Sequence, residues 1–289
     1  MSDYRGVIKT MAIDLKGSVA FVTGAASKRG MGHSIVLKLA ENGADIVAVS
    51  RSRQSRSLFP GEEDWKGLDS VVEEVKAIGR RILALEAHIE DYNEVNAAVE
   101  AAVKEFGKID ILVNCVGTRG PVNVPVVEFD EKDWYDVFKV NVLGAFNVSK
   151  AVAKVMIPRR KGKIVQIISM ASKIPTPGSA IYNASKAAQL MLTKTLALEL
   201  APYNIDVYAV NPGAFITNLR DEYFEALSQK TGIPIEKLRE EDYKKVAAGI
   251  PKGRLGNPEE IAELVAFLVS DKAEYLTGSV IDIAGGVMS

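Results

Sequence analysis

The chain has very little with which to close a disulfide or hold a metal: one cysteine, Cys115, and two histidines, His33 and His88, in 289 residues. A single cysteine excludes an internal disulfide and suits a reducing, cytoplasmic setting. So few soft ligands argue against a thiolate or imidazole metal site. No run of like charge exceeds a few residues and the formal net charge is −1, so neither nucleic acid nor an anionic membrane is favoured as partner. The N-terminal stretch scatters Asp3, Arg5, Lys9, Asp14 and Lys16 without a long apolar run, unlike a secretory signal. No segment is expected to offer the ~20 apolar residues that span a bilayer, and no internal repeat or low-complexity tract is visible. With 47% hydrophobic and 25% charged residues, the chain has the composition of one globular domain, 1–289, with one sizeable core.

What is present is an alternation. Short apolar, β-branched runs at 19–23, 45–49, 82–86, 109–113, 164–168, 206–210 and 279–283 alternate with 3.6-periodic segments at 33–42, 64–78, 92–106, 131–157, 182–201 and 258–269. That order predicts an α/β fold, a doubly wound parallel sheet of Rossmann type with helices on both faces. Gly43, Gly79 and Gly107 each stand where a helix would close with a left-handed residue. Asn257-Pro258-Glu259-Glu260 opens the last helix with a capping side chain, Pro at the first helical position and acids in the first turn. Two polar segments break the alternation: a loop at 50–64 with Arg51, Arg53, Arg56 and Pro60-Gly61, and a charged excursion at 214–256, helical around 221–229 and 236–247. Long excursions at the carboxyl ends of strands are where such sheets place a substrate lid.

After the first strand comes Thr23-Gly24-Ala25-Ala26-Ser27-Lys28-Arg29-Gly30-Met31-Gly32. Glycines there permit a tight turn, and a helix N-terminus offers amides and a positive dipole end to a pyrophosphate. Dinucleotide binding is therefore expected at Gly24, Lys28, Arg29, Gly30, Met31 and Gly32. The second strand ends at Ser50-Arg51, where an NAD-preferring site places an acid for the ribose 2′-hydroxyl. Ser50, Arg51 and Arg29 would instead receive a 2′-phosphate, so NADP(H) is favoured over NAD(H).

Tyr182 and Lys186, four apart on one helix, would share a face. A nearby ammonium is expected to lower the phenol's pKa from its usual ~10, which would let Tyr182 donate or accept a proton near neutrality. Ser169, after the strand at 164–168, supplies a hydroxyl that would hold a substrate oxygen beside the phenol.

Over roughly 15–286 these residues resemble the short-chain dehydrogenase/reductase family. The resemblance rests on the glycine loop, Asn114-Cys115-Val116-Gly117, Asn141 in Asn141-Val142-Leu143-Gly144, Ser169 thirteen residues before Tyr182, Tyr182-x-x-x-Lys186, Asn211-Pro212-Gly213 with Thr217, Arg254-Leu255-Gly256-Asn257-Pro258 and Tyr275-Leu276-Thr277-Gly278. It resembles 3-oxoacyl-thioester reductases and related alcohol dehydrogenases. The resemblance implies that Tyr182 is the general acid/base of hydride transfer between NADP(H) and a ketone or secondary alcohol. It further implies that Lys186 lowers the tyrosine pKa and holds the nicotinamide ribose, that Ser169 orients the substrate oxygen, and that Asn141 anchors a water of the proton relay. Cofactor contacts are implied at Asn114, Gly117, Pro212, Gly213, Phe215 and Thr217; His88, standing where the family often has an Asp, is either a surface histidine or, through its backbone and Ile89, an adenine contact. A homotetramer or homodimer is also implied, packed through the helices at 131–157 and 182–201.

The departures are a glycine loop two residues longer than the common form, Cys115 in place of a second Asn, and Ala284 in place of an acid. Loop length resembles the enoyl-thioester reductases, whereas the Tyr–Lys spacing argues for a carbonyl reductase. A non-catalytic NADP(H)-binding regulator is a third reading, against which the intact Ser169, Tyr182, Lys186 and Asn141 stand. Cys115 is read as a small buried hydrophobe. Substrate identity is expected to lie in 118–127, 171–180 and 214–256, whose apolar residues favour a moderately apolar ketone over a free sugar.

Overall fold

The computed structural model describes residues 13–54 and 62–288. Seven strands, β1 (Val19–Thr23), β2 (Asp45–Ser50), β3 (Ile82–Glu86), β4 (Ile111–Asn114), β5 (Gly162–Ile167), β6 (Ile205–Pro212) and β7 (Val280–Ile283), form one parallel sheet in the order β3-β2-β1-β4-β5-β6-β7. The helices are α1 (Met31–Glu41), α2 (Leu68–Ala77), α3 (Tyr92–Phe106), α4 (Glu131–Phe138), α5 (Ala145–Met156), α6 (Ala180–Leu200), α7 (Asp221–Thr231), α8 (Ile235–Ala248) and α9 (Pro258–Leu268). This is the doubly wound Rossmann architecture that the alternation implied.

Side chains along a strand point alternately to the two faces, and β1 shows the result. Ala20 and Val22 join a core built on α1, α2 and α9, while Val19 and Phe21 join one built on α3, α5 and α6. Both faces are covered, so the strands read as continuous apolar runs. Gly43, Gly79 and Gly107 take φ of +100°, +84° and +77°, as their capping positions required. Asn257 and Glu260 form the expected capping box on α9.

Three boundaries depart from the pattern. The second helix begins at Leu68 because Gly67, at φ 64° and ψ −128°, holds a conformation only glycine tolerates. Strand β4 starts at Ile111 because Asp110 turns its carboxylate onto the Val19 N–H at 2.9 Å. The segment at 131–157 is not one uniform α-helix: Lys139–Gly144 is π-helical between α4 and α5. That run, Glu131–Arg159, is also long enough, and over one 18-residue window apolar enough (mean hydropathy 1.3), to cross a bilayer, contrary to expectation. Its apolar residues have a use in the fold, since Val148, Val152 and Met156 pack under the sheet.

The excursion at 214–256 folds into α7 and α8, each slightly longer than its pattern. Its two ends are pinned together, Ile216 N to Gly256 O and Gly256 N to Ala214 O, both at 3.0 Å. Phe224 is buried between Tyr223 and Tyr243.

Candidate active site

In a parallel sheet all the carboxyl ends of the strands share one edge, and the strand order reverses between β1 and β4, which opens a crevice there. The residues singled out above fall at that edge: Gly24 after β1, Ser50 and Arg51 at the end of β2, His88 and Ile89 after β3, Asn114 and Gly117 at β4, Ser169 after β5, and Pro212 and Gly213 at β6.

The turn after β1 is built for close approach. Gly24 sits at φ +74°, its N–H bonded to Val49 O at 2.8 Å. A Cβ on Gly32 would stand 2.3 Å from Gly24 O, so α1 begins almost against the turn. Its first turn carries no acid and no side-chain cap. The longer loop is held from outside: Trp65 Nε1 donates to Ala26 O at 2.8 Å, and His33 bridges Lys28 O and Glu74, each at 2.6 Å. Lys28 Nζ lies 5.8 Å from the Trp65 ring centre. Met31 opens α1.

Arg29, expected to help receive a 2′-phosphate, is engaged within the fold. Its guanidinium is held by Glu62 at 3.3 Å and Asp221 at 3.0 Å, and its N–H donates to Asn218 Oδ1. Largely buried, the charge needs those carboxylates, and Asp221 is shared with Arg239 at 3.1 Å. Arg29 therefore ties the glycine loop to α7 and α8, and Arg51, exposed at the end of β2, is the cation beside Ser50. No acid follows Ser50 in the sequence before Glu62. Arg53 pairs with Asp69 at 2.6 Å, and Arg56 lies outside the described residues.

His88 and Ile89, expected beside an adenine, are partly engaged within the fold. His88 N–H donates to Glu94 at 2.7 Å, and Ile89 O accepts from Asn147 at 3.0 Å. Beneath the crevice a buried polar chain crosses three strands: Thr23 Oγ1 donates to Asn114, Asn114 to Gln166, and Gln166 to Ser149. Asn114 thus holds β1, β4 and β5 in register. Gly213 packs against Ala284, the residue standing in place of an acid, and Phe215 lies across Gly256. Thr217 accepts from Leu219 N at 3.4 Å, opening the turn into α7.

Ser169, Tyr182 and Lys186 come together. Tyr182 is in the first turn of α6 and shares a side-chain hydrogen bond with Ser169. Lys186 Nζ lies 5.8 Å from the centre of the Tyr182 ring and donates to Gln189 Oε1 at 2.9 Å. Lys186 is buried, and a Cβ on Gly117 would approach its Nζ to 3.1 Å. Asn141, wholly buried in the π-helical stretch, accepts from Thr118 N at 2.8 Å and donates to Thr118 O and Ser185 Oγ, both at 2.9 Å. It fixes the loop after β4 against α6.

The electrostatics differ from the simple expectation. Burial pushes the Tyr182 phenol above its ordinary pKa, and the Ser169 hydrogen bond and the Arg119 charge only partly oppose it. Burial also lowers Lys186 to about 8 and raises Cys115 to about 12, so Cys115 is a neutral thiol. Arg119, from the loop 118–127, was not foreseen as a single residue. Trp65, Gln189 and the Asp221–Arg239 pair also escaped the sequence, since each acts through a contact with no motif.

The family model for short chain dehydrogenases matches residues 18–228. The 3-oxoacyl-[acyl-carrier-protein] reductase FabG of Thermotoga maritima is 36% identical over 275 residues, 95% of this chain and 99% of that protein. Among solved structures, L-sorbose reductase from Gluconobacter frateurii, complexed with NADPH and L-sorbose, superposes with a TM-score of 0.82 at 30% identity, covering 96% of this chain and 98% of that one. NAD+-bound xylitol dehydrogenase superposes with a TM-score of 0.80 at 33% identity, covering 94% and 99%.

Proposed function

Because the chain belongs to the short-chain dehydrogenase family, and is an NAD(P)-dependent oxidoreductase acting on C=O and CH–OH groups, we propose that it reduces a ketone to a secondary alcohol with NADPH, Tyr182 giving the proton. The observation that carries the reading is the meeting of Ser169, Tyr182 and Lys186 at the carboxyl edge of the sheet. When bound, the nicotinamide supplies the hydride in reduction and takes it in oxidation. A phenol whose pKa burial has raised stays protonated at neutral pH, as a general acid must. A carbonyl oxygen accepting from the phenol would meet the Ser169 hydroxyl at the same point. After proton transfer the phenolate would be stabilised by the Lys186 ammonium, still charged below about pH 8. Asn141 positions Thr118 and Ser185 beside these groups.

The cofactor would lie along the turn at Gly24, Lys28, Gly30, Met31 and Gly32, over Asn114 and Gly117, and against Pro212, Gly213, Phe215 and Thr217. The absence of an acid after β2, with Ser50 and Arg51 in its place, supports a 2′-phosphate and hence NADP(H). The helices α7 and α8 would serve as the lid. A 3-oxoacyl thioester is the first substrate to offer, in keeping with the relative's name. Exposed Trp134, Tyr135, Phe146 and Leu198 on α4, α5 and α6 support a homodimer or homotetramer packed through those helices. A cytoplasmic enzyme is the proposed setting.

The test is the initial rate of reduced-cofactor consumption with NADPH and with NADH, against a 3-oxoacyl thioester, cyclic ketones and a 2-enoyl thioester. Ketone-dependent oxidation faster with NADPH is expected. Reaction of the enoyl compound alone would overturn the reading in favour of an enoyl reductase.

A further inference from the structure

The phenol of Tyr182 has two cations near it, only one of which belongs to its own helix. The Arg119 guanidinium carbon lies 5.7 Å from the Tyr182 ring centre, and Lys186 Nζ lies 5.8 Å from it. Arg119 is two residues beyond Gly117, and its neighbour Thr118 is clamped by both backbone groups to the buried Asn141 amide. The same Asn141 holds Ser185, adjacent to Lys186. One buried side chain therefore sets the base of the Arg119 loop relative to the helix carrying Tyr182.

We propose that Arg119 is a positioning residue for the reaction, a second cation that acts through Tyr182 by stabilising its phenolate. The proposal rests on the reading of Tyr182 as the acid/base group and extends it to a residue outside the Ser169, Tyr182 and Lys186 set. The two cations differ in chemistry. Guanidinium stays charged at every pH the protein survives, whereas burial brings Lys186 to about 8. As pH rises through that value Lys186 loses its charge and Arg119 keeps the field on the phenol. Oxidation of an alcohol needs the phenolate, so Arg119 serves that direction most.

The other groups around the phenol do not supply that charge. Ser169, beyond β5, is a neutral hydroxyl that bonds the phenol. Cys115, at the end of β4, faces Lys186 as a thiol raised to about 12. Gln189 and Asn141 are neutral amides, and Lys173, in the turn after β5, is paired with Asp282 at 2.8 Å. Consistent with the geometry, the Arg119 charge pulls the phenol pKa down against the upward push of burial.

The experiment follows the ultraviolet phenolate absorbance of the full chain against pH, each Arg119 form being paired with its Tyr182→Phe double variant so that the difference isolates Tyr182. A unit charge about 6 Å away, at an effective dielectric of about 20–40, is worth about one to two pH units. Arg119→Met should move Tyr182 ionisation upward by that amount, and the same shift should appear in the pH profile of alcohol oxidation, with cofactor KM unmoved. Arg119→Lys, which keeps the charge, should recover most of the shift. Arg119→Gln repeats the test should the methionine variant fold poorly. An unshifted titration in Arg119→Met and Arg119→Gln, or a lysine variant that behaves like them, would overturn the proposal. Its failure is separable from that of the parent reading, which falls if Tyr182→Phe alone turns over normally.

Discussion

Gly32→Ala isolates the close approach on which the proposed cofactor cleft depends. The added Cβ would stand 2.3 Å from Gly24 O, 2.8 Å from Gly24 C and 3.2 Å from Thr23 O. These are backbone atoms of a turn already tied to Val49 O at 2.8 Å, so no side chain can swing aside. Either α1 backs away from the turn by roughly 1 Å or the turn distorts, and α1 is itself held on α9 by the Lys38–Glu263 pair at 2.7 Å. Overpacking of this kind costs about 1–3 kcal/mol, and with backbone on both sides we expect about 3 kcal/mol, a fall in Tm on the order of 6–12 °C. NADPH affinity should drop at least ~10-fold, equivalent to ~1.4 kcal/mol. The assays are thermal unfolding and calorimetric titration of NADPH. Gly249→Ala is the matched control: the site has φ −89° and its nearest neighbour, Val246 O, lies 3.5 Å away. It should change stability by no more than about 1 kcal/mol, on the stabilising side. Wild-type Tm and NADPH affinity in Gly32→Ala would refute the close-approach argument.

Asp110 offers a test away from the site. Burial pushes its carboxyl up, but bonds from Arg159, Lys108 and Val19 N outweigh that and hold it below the usual range. A depressed folded pKa contributes stability that is present above the unfolded value of ~3.9 and lost as pH falls through the folded value. Asp110→Asn should therefore cost about 3 kcal/mol at pH 7 and flatten the decline of urea midpoints below pH ~4; an unchanged acid limb would contradict it. Arg51→Asp should lower kcat/KM for NADPH relative to NADH by about 10-fold or more, the worth of one charged hydrogen bond at about 1.5–3 kcal/mol. An unchanged ratio would remove Arg51 from cofactor choice.

The framework of the fold was legible because strand and helix periods leave marks that few other arrangements produce. Seven apolar runs became seven strands, and Gly43, Gly79, Gly107 and Asn257 closed or opened helices by local backbone chemistry alone. The candidate site was legible where a motif needs particular residue types at fixed spacing, as with Gly24 and Gly32 or Tyr182 and Lys186. Long-range pairing was hidden. Nothing local to Arg29 says that Asp221, 192 positions away, will claim its guanidinium. Trp65 reaches Ala26 O only through the fold. The π-helical stretch at Lys139–Gly144 left no period that an ordinary helical pattern would not share. The Tyr182 pKa departs from the sequence expectation because the sequence shows that an ammonium is near but not how strongly burial disfavours the phenolate.

Tyr182→Phe asks whether the phenol gives the proton. It removes one oxygen from a half-buried ring and leaves Lys186, Ser169 and the glycine turn in place. Kinetics of ketone reduction and calorimetric NADPH titration should be measured side by side on the wild type and the variant. The variant's kcat should be lower by at least ~10²-fold, the usual worth of a positioned general acid, with NADPH Kd unchanged. A variant that binds NADPH normally and still reduces the ketone at a comparable rate would show that the proton comes from another group.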